Sequence, residues 1–114
     1  QIKKILQNSL YYRFVLQYSY HIYIAGVIDD TIFKSWELYC ELEKNLGFLC
    51  SLYTKEPFYK GDRKSDDIET FWRYCCKDSA LTYEINEALD KMLPPLSREH
   101  YEFNIQLLSV LLYM

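Results

Sequence analysis

Apolar residues recur along this chain at two spacings, and one stretch near the middle follows neither. Ile2 to Leu6 alternates around Lys3 and Lys4 and predicts a short strand. From Ser9 to Tyr18, the positions of Leu10, Phe14, Val15 and Tyr18 predict a short amphipathic helix. Ile22 to Ile28 reads "IYIAGVI", β-branched and interrupted by Gly26, which predicts a strand or a strand pair with a turn. Asp30 or Thr31 can cap the next helix, Ile32 to about Leu42, with Phe33, Trp36 and Leu38 as candidate core groups. Asn45-Leu46-Gly47 looks like a helix end and restart, with a second short helix from Phe48 to Tyr53. "TKEPFYKGDRKSDD", Thr54 to Asp67, has Pro57, Gly61, mixed charge and no period, and predicts a loop.

Asp66 followed by Glu69 resembles a capping box. The helix it would open runs through Ile68, Phe71, Trp72, Cys75, Leu81, Ile85, Ala88, Leu89 and Met92, roughly six turns or more at 3.6 residues per turn. Asp78 interrupts that pattern on or near its apolar side. Pro94-Pro95 ends the helix, and Ser97 is placed to cap a last one with Tyr101, Leu107, Leu108, Val110 and Leu111 apolar. No internal repeat or low-complexity tract breaks this sequence of elements.

Composition narrows the class. The 114 residues suit one modest domain, and 50% apolar content with twelve Tyr supplies enough core to exclude a disordered chain. A net charge of −3 gives no global basic field for nucleic acid, although a local basic face is compatible with it. The longest apolar run, Leu107 to Met114 with one Ser, is too short to span a bilayer, and no signal-peptide pattern opens the chain. Cys40, Cys50, Cys75 and Cys76 fit no zinc spacing, and His21 and His100 stand away from them. Adjacent Cys75 and Cys76 on a helix would point about 100° apart, so the expectation is reduced, half-buried thiols in an intracellular protein. Gln1 at one end and an uncapped apolar pattern at the other give the expectation of a piece of something larger.

The chemistry-bearing signal is "RYCCKDSALTYEI", which sets Tyr74 and Asp78 four residues apart and so on one helix face. A carboxylate near an apolar face costs free energy unless it is paired or binds a cation. Pairing with Arg73 or Lys77, or plain solvent exposure, accounts for Asp78 without any function. The loop "YTKEPFYKGDRK" interleaves Lys55, Lys60, Arg63 and Lys64 with Tyr53, Phe58 and Tyr59, a mixture suited to single-stranded DNA and equally to a solvated loop.

Taken in order, "QNSLYYRFVLQY", "DDTIFKSWELYCELEKNLGFLCSLYTKEPFYK" and "DDIETFWRYCCKDSALTYEI" resemble consecutive pieces of the 3′–5′ proofreading exonuclease domain of family A, polymerase I-like DNA polymerases. In that family a Gln-Asn-x-x-x-Asp segment is followed by a hydrophobic-Asp-Thr strand end, two helices, an extended loop and a Tyr-x-x-x-Asp helix. The resemblance covers most of the chain and implies an α/β fold, here a helix-dominated and incomplete ribonuclease H-like (DnaQ-like) exonuclease domain. Its last helix resembles the one leading into a polymerase domain. The family mechanism places two divalent cations, magnesium or manganese, between carboxylates and the scissile phosphate. Asp78 matches the metal-ligand Asp, and Tyr74 matches the Tyr that orients the attacking water. Asn8 matches the Asn near the terminal nucleotide, while Asp30 and Thr31 match a pair with a structural role. Implied partners are a single-stranded DNA 3′ end, with Asn8 as a contact, and the polymerase domain of the same chain; Lys60 and Arg63 join Asn8 as expected DNA contacts on the composition of their loop. The implied setting is the cytoplasm of a bacterial or virus-infected cell, with no membrane.

The chain departs from that family twice. The first motif, Asp-x-Glu, should lie well upstream of Gln7, where only six residues stand. The second-motif ligand falls at Tyr12, and a phenol with a pKa of about 10 is a poor magnesium ligand. Of four expected carboxylates only Asp78 is visible, so the chain alone is expected to hold no metal stably and to be inactive. The competing reading is a non-catalytic module that positions DNA or braces a polymerase domain. A third is an unrelated helical interaction protein. His100 is expected at the surface, and the apolar stripe of the last helix against a missing domain.

Overall fold

The computed structural model describes residues 2–56 and 66–114. Its two strands, β1 (Lys4–Leu6) and β2 (Ile28–Asp30), are parallel, with Lys4 opposite Ile28, Ile5 opposite Asp29 and Leu6 opposite Asp30. Parallel neighbours need a crossover. Helix α1 (Ser9–Tyr20) provides it. Four more helices follow: α2 (Thr31–Leu38), α3 (Leu46–Tyr53), α4 (Ile68–Met92) and α5 (Pro95–Tyr113). The result is a small helix-dominated domain around a two-stranded parallel sheet.

Each helix start shows how its sequence ends the preceding segment. Asn8 takes left-handed backbone (φ 70°), which Asn tolerates better than most residues, and caps α1. Asp30 caps α2, and Asn45 caps α3 by accepting from Phe48 N at 2.8 Å. Asp67, not Asp66, caps α4: its carboxylate accepts from Glu69 N at 3.3 Å and from the Thr70 hydroxyl at 2.9 Å. Helix α5 starts at Pro95 without a side-chain cap, two residues before Ser97, because proline at the first helical position needs no N–H partner.

Three further expectations are corrected. The strand expected over Ile22–Ile28 begins only at Ile28; Ile22, Tyr23 and Val27 are exposed, and Gly26 turns the chain at φ 88°. Helix α2 stops at Leu38 rather than about Leu42, where Lys44 Nζ donates to the carbonyls of Tyr39 and Leu42. Of the cysteines, Cys50 is buried while Cys40, Cys75 and Cys76 are exposed.

Two kinds of core sit on either side of α4. The apolar one gathers Leu49 and Cys50 from α3 with Tyr74, Leu81, Ile85 and Leu89 from α4. The other is polar and lies where α2 meets α4 and α5. Helix α2 buries Thr31, Lys34 and Ser35, whereas Trp36, an expected core group, is 54% exposed. Lys34 is fully buried, and its Nζ donates to Asp29 Oδ2 (2.8 Å), Asn86 Oδ1 (2.7 Å) and Asp90 Oδ1 (2.6 Å). Three acceptors satisfy all three ammonium donors. Lys3 also reaches Asp29, at 2.6 Å, and Arg98 reaches Asp90, at 3.2 Å.

Tyr101 closes this network by donating to Asp29 Oδ1 (3.0 Å) and accepting from Asp30 N (3.0 Å). Burial pushes its phenol far above the ordinary value; the Asp30 N–H opposes this and the Asp29 carboxylate reinforces it. Burial also works against the charge on Asp29, but the hydrogen bonds from Lys3 and Lys34 outweigh it and hold that carboxyl below the usual range. For Tyr101 the folded pKa is the higher one, so its contribution is complete below the unfolded value of about 10 and is lost as pH rises beyond it. Thermal melts between pH 8 and 11 are therefore expected to fall more steeply for the parent than for Tyr101→Phe; parallel curves would contradict this assignment.

Among the described residues no helix is long and apolar enough to cross a membrane. His100 lies on the surface, its ring 2.5 Å from Glu37.

Candidate functional site

The start of α1 and the middle of α4 face each other across an open cleft of about 610 Å³. Asp30 fixes the α1 side. Its carboxylate accepts from Ser9 N (2.6 Å), the Ser9 hydroxyl (2.6 Å) and Asn8 N (3.3 Å), and also from Ile32 N (2.8 Å). One buried side chain thus holds the first turns of both α1 and α2. Gln7 is pinned in turn: its amide donates to Lys44 O at 2.7 Å and accepts from the Thr31 hydroxyl. The rigid segment that results brings Gln7 and Tyr12 to one wall.

Helix α4 forms the other wall. Phe71, Tyr74, Asp78 and Thr82 recur at helical spacing and all line the cleft, with Ser79 beside them. Tyr74 is 7% exposed and belongs to the apolar core, where its ring stacks on Phe71 with centroids 6.4 Å apart. Asp78 is half-buried. Arg73 pairs with Glu69 at 2.9 Å and Lys77 with Glu56 at 2.8 Å.

Tyr74, Asp78 and Tyr12 therefore share one cleft. Asn8 does not line it: the residue is exposed and its side chain accepts from Tyr11 N at 3.4 Å. Lys60 and Arg63 lie outside the described residues. Phe71, Ser79 and Thr82 did not stand out in the sequence, although their spacing from Tyr74 and Asp78 on one helix was the signal that could have found them.

The donor set can be compared with what two divalent cations need. Magnesium and manganese prefer several oxygen ligands, mainly carboxylate. Among the described residues the cleft offers one carboxylate, Asp78, with the Tyr12 phenol on the facing wall. No group of three or more His, Cys, Asp or Glu side chains is placed to hold a metal among the described residues. These residues do not fit a two-metal centre.

Comparison with known proteins adds one relation. The chain is partly and weakly similar to DNA polymerase I. Over 100 residues, 79% of this chain, it is 34% identical to the DNA polymerase I of Synechocystis sp.. It spans 10% of that relative's length. No protein-family model matches the chain, and no solved structure matches it.

Proposed function

We propose that this chain is part of a 3′–5′ exonuclease (proofreading) domain of a family A DNA polymerase, with an incomplete ribonuclease H-like fold. The α1–α4 cleft is where a single-stranded 3′ end would sit, in DNA replication or repair. The observation that carries this reading is the meeting of Gln7 and Tyr12 from one motif with Tyr74 and Asp78 from another on one cleft. The partial likeness to a DNA polymerase I supports it. The polymerase domain of the same parent protein is the proposed partner for the exposed Leu107, Val110 and Leu111 of α5.

Tyr12 favours a second reading for this chain, a catalytically silent module that positions DNA or braces the polymerase domain. A neutral ring replaces a carboxylate at the wall facing Asp78, so charge that would attract a cation is lost there.

Two assays separate these readings from each other and from neither. A linear labelled single strand is expected to bind better than a closed circular strand of the same sequence; equal binding would sink the 3′-end assignment. With manganese present, the chain is expected to release no nucleotides. Digestion that disappears in Asp78→Ala would establish catalysis by this chain and remove the silent-module reading.

A further inference from the structure

We infer that the α1–α4 cleft takes an unpaired nucleobase as an aromatic clamp, with Tyr12 and Phe71 as its stacking faces and no metal required. This deepens the reading of the cleft as a single-strand site and rests on it. Tyr12 is 48% exposed and Phe71 42% exposed, and both border the same cleft from opposite helices. Phe71 is nearly parallel to the buried Tyr74 ring behind it, at 19°, while Tyr12 is braced edge-on by Tyr11 at 5.6 Å. Both exposed rings are thus supported from one side and open on the other. A planar ligand that covers them removes apolar surface from water and gains ring-on-ring attraction.

The charges around the cleft say which part of a nucleotide fits. The described lining residues include Asp78 and no Lys or Arg. Among the described residues a phosphate meets no cation on this lining, whereas a neutral base does not need one. The hydroxyls also point to a base. Thr82 donates back to Asp78 O at 2.6 Å and Ser79 to Cys75 O at 3.3 Å. Each hydroxyl has spent its only proton, so toward a ligand each can only accept, which suits the ring N–H and amino groups of a base. The cleft volume of about 610 Å³ lies within the range of small-ligand sites.

The test measures fluorescence anisotropy of a labelled (CA)4 deoxyoctanucleotide on the full 114-residue chain, with EDTA throughout. The comparison probe is an octamer of abasic sites with the same backbone. The clamp predicts that the abasic probe binds at least about tenfold more weakly, and that Tyr12→Ala and Phe71→Ala each cost roughly tenfold. Tyr12→Phe and Phe71→Tyr keep a ring and should stay within about twofold of the parent, on the same stacking argument. Thermal melts check that each variant folds; Tyr12 and Phe71 are both exposed, and Phe71→Ala uncovers one face of the core Tyr74 ring. Equal binding of the two probes, or ring-removing variants that match the parent, would overturn the clamp and leave a single-strand backbone site standing. Binding that appears only with manganese would overturn it in favour of a metal site. If neither probe binds with or without manganese, the single-strand reading falls as well.

Discussion

Lys34→Met is expected to lower the stability of this domain by about 3 kcal/mol, the lower end of the range for breaking a buried ion pair. Methionine fills a similar volume, so the loss is electrostatic. The lower end applies because two of the three acceptors keep other partners: Asp29 retains Lys3 and Tyr101, and Asp90 retains Arg98. Asn86 Oδ1 loses its hydrogen bond from Lys34, in a residue that is 1% exposed. For a chain of this length the loss corresponds to a melting shift of roughly 12 °C. Arg73→Met removes an exposed pair between residues one helical turn apart and should cost no more than about 0.5 kcal/mol. Urea denaturation of the two variants checks the contrast. Equal midpoints would mean that the Lys34 ammonium is not held inside.

Asp30→Ala should cost about 3–5 kcal/mol, because one side chain serves donors on two helices. Truncation strands Ser9 N, the Ser9 hydroxyl and Ile32 N together, and Ser9 is fully buried, so water cannot readily replace the carboxylate. Asp30→Asn keeps one oxygen but turns an amide N–H₂ toward donors, and an intermediate loss of about 2 kcal/mol is expected. Amide hydrogen exchange gives the specific signature: Ser9 and Ile32 should both lose protection in Asp30→Ala, although 23 positions separate them in sequence. Faster exchange at Ile32 alone would show that the carboxylate does not bridge the two helix starts.

The sequence was most legible where local chemistry and tertiary structure agree. Helix α4 follows from its long 3.6-residue period and its prolines, and it places Tyr74 and Asp78 on one face as the spacing required. Helix α2 was the least legible. Its Phe33, Trp36 and Leu38 advertise an apolar face, yet the buried face carries Thr31, Lys34 and Ser35. Periodicity finds which residues avoid water, and Lys34 is buried only because acceptors from β2 and α4 converge on it. No local pattern records partners 52 and 56 residues away. The strand at Ile28–Asp30 was misplaced for a related reason: "IYIAGV" has the intrinsic preference, but the pairing goes to the segment whose two aspartates are tied down. In the cleft, the family resemblance points to Asp78 and Tyr12, while Phe71 is locally just one more apolar position in the helical period.

The cluster around Lys34 also constrains how such a sequence can drift. Losing Lys34 alone takes the Lys34 donor from the buried Asn86 Oδ1, and losing Asp29 or Asp90 alone leaves buried positive charge under-compensated. Replacing the ammonium and its acceptors together by well-fitted apolar groups is often neutral or better. Single steps at Lys34, Asn86, Asp29 and Asp90 are therefore closed to neutral change, while the joint step is open. In descendants and cousins of this chain, those four positions should turn over as a set, with intermediate combinations rare.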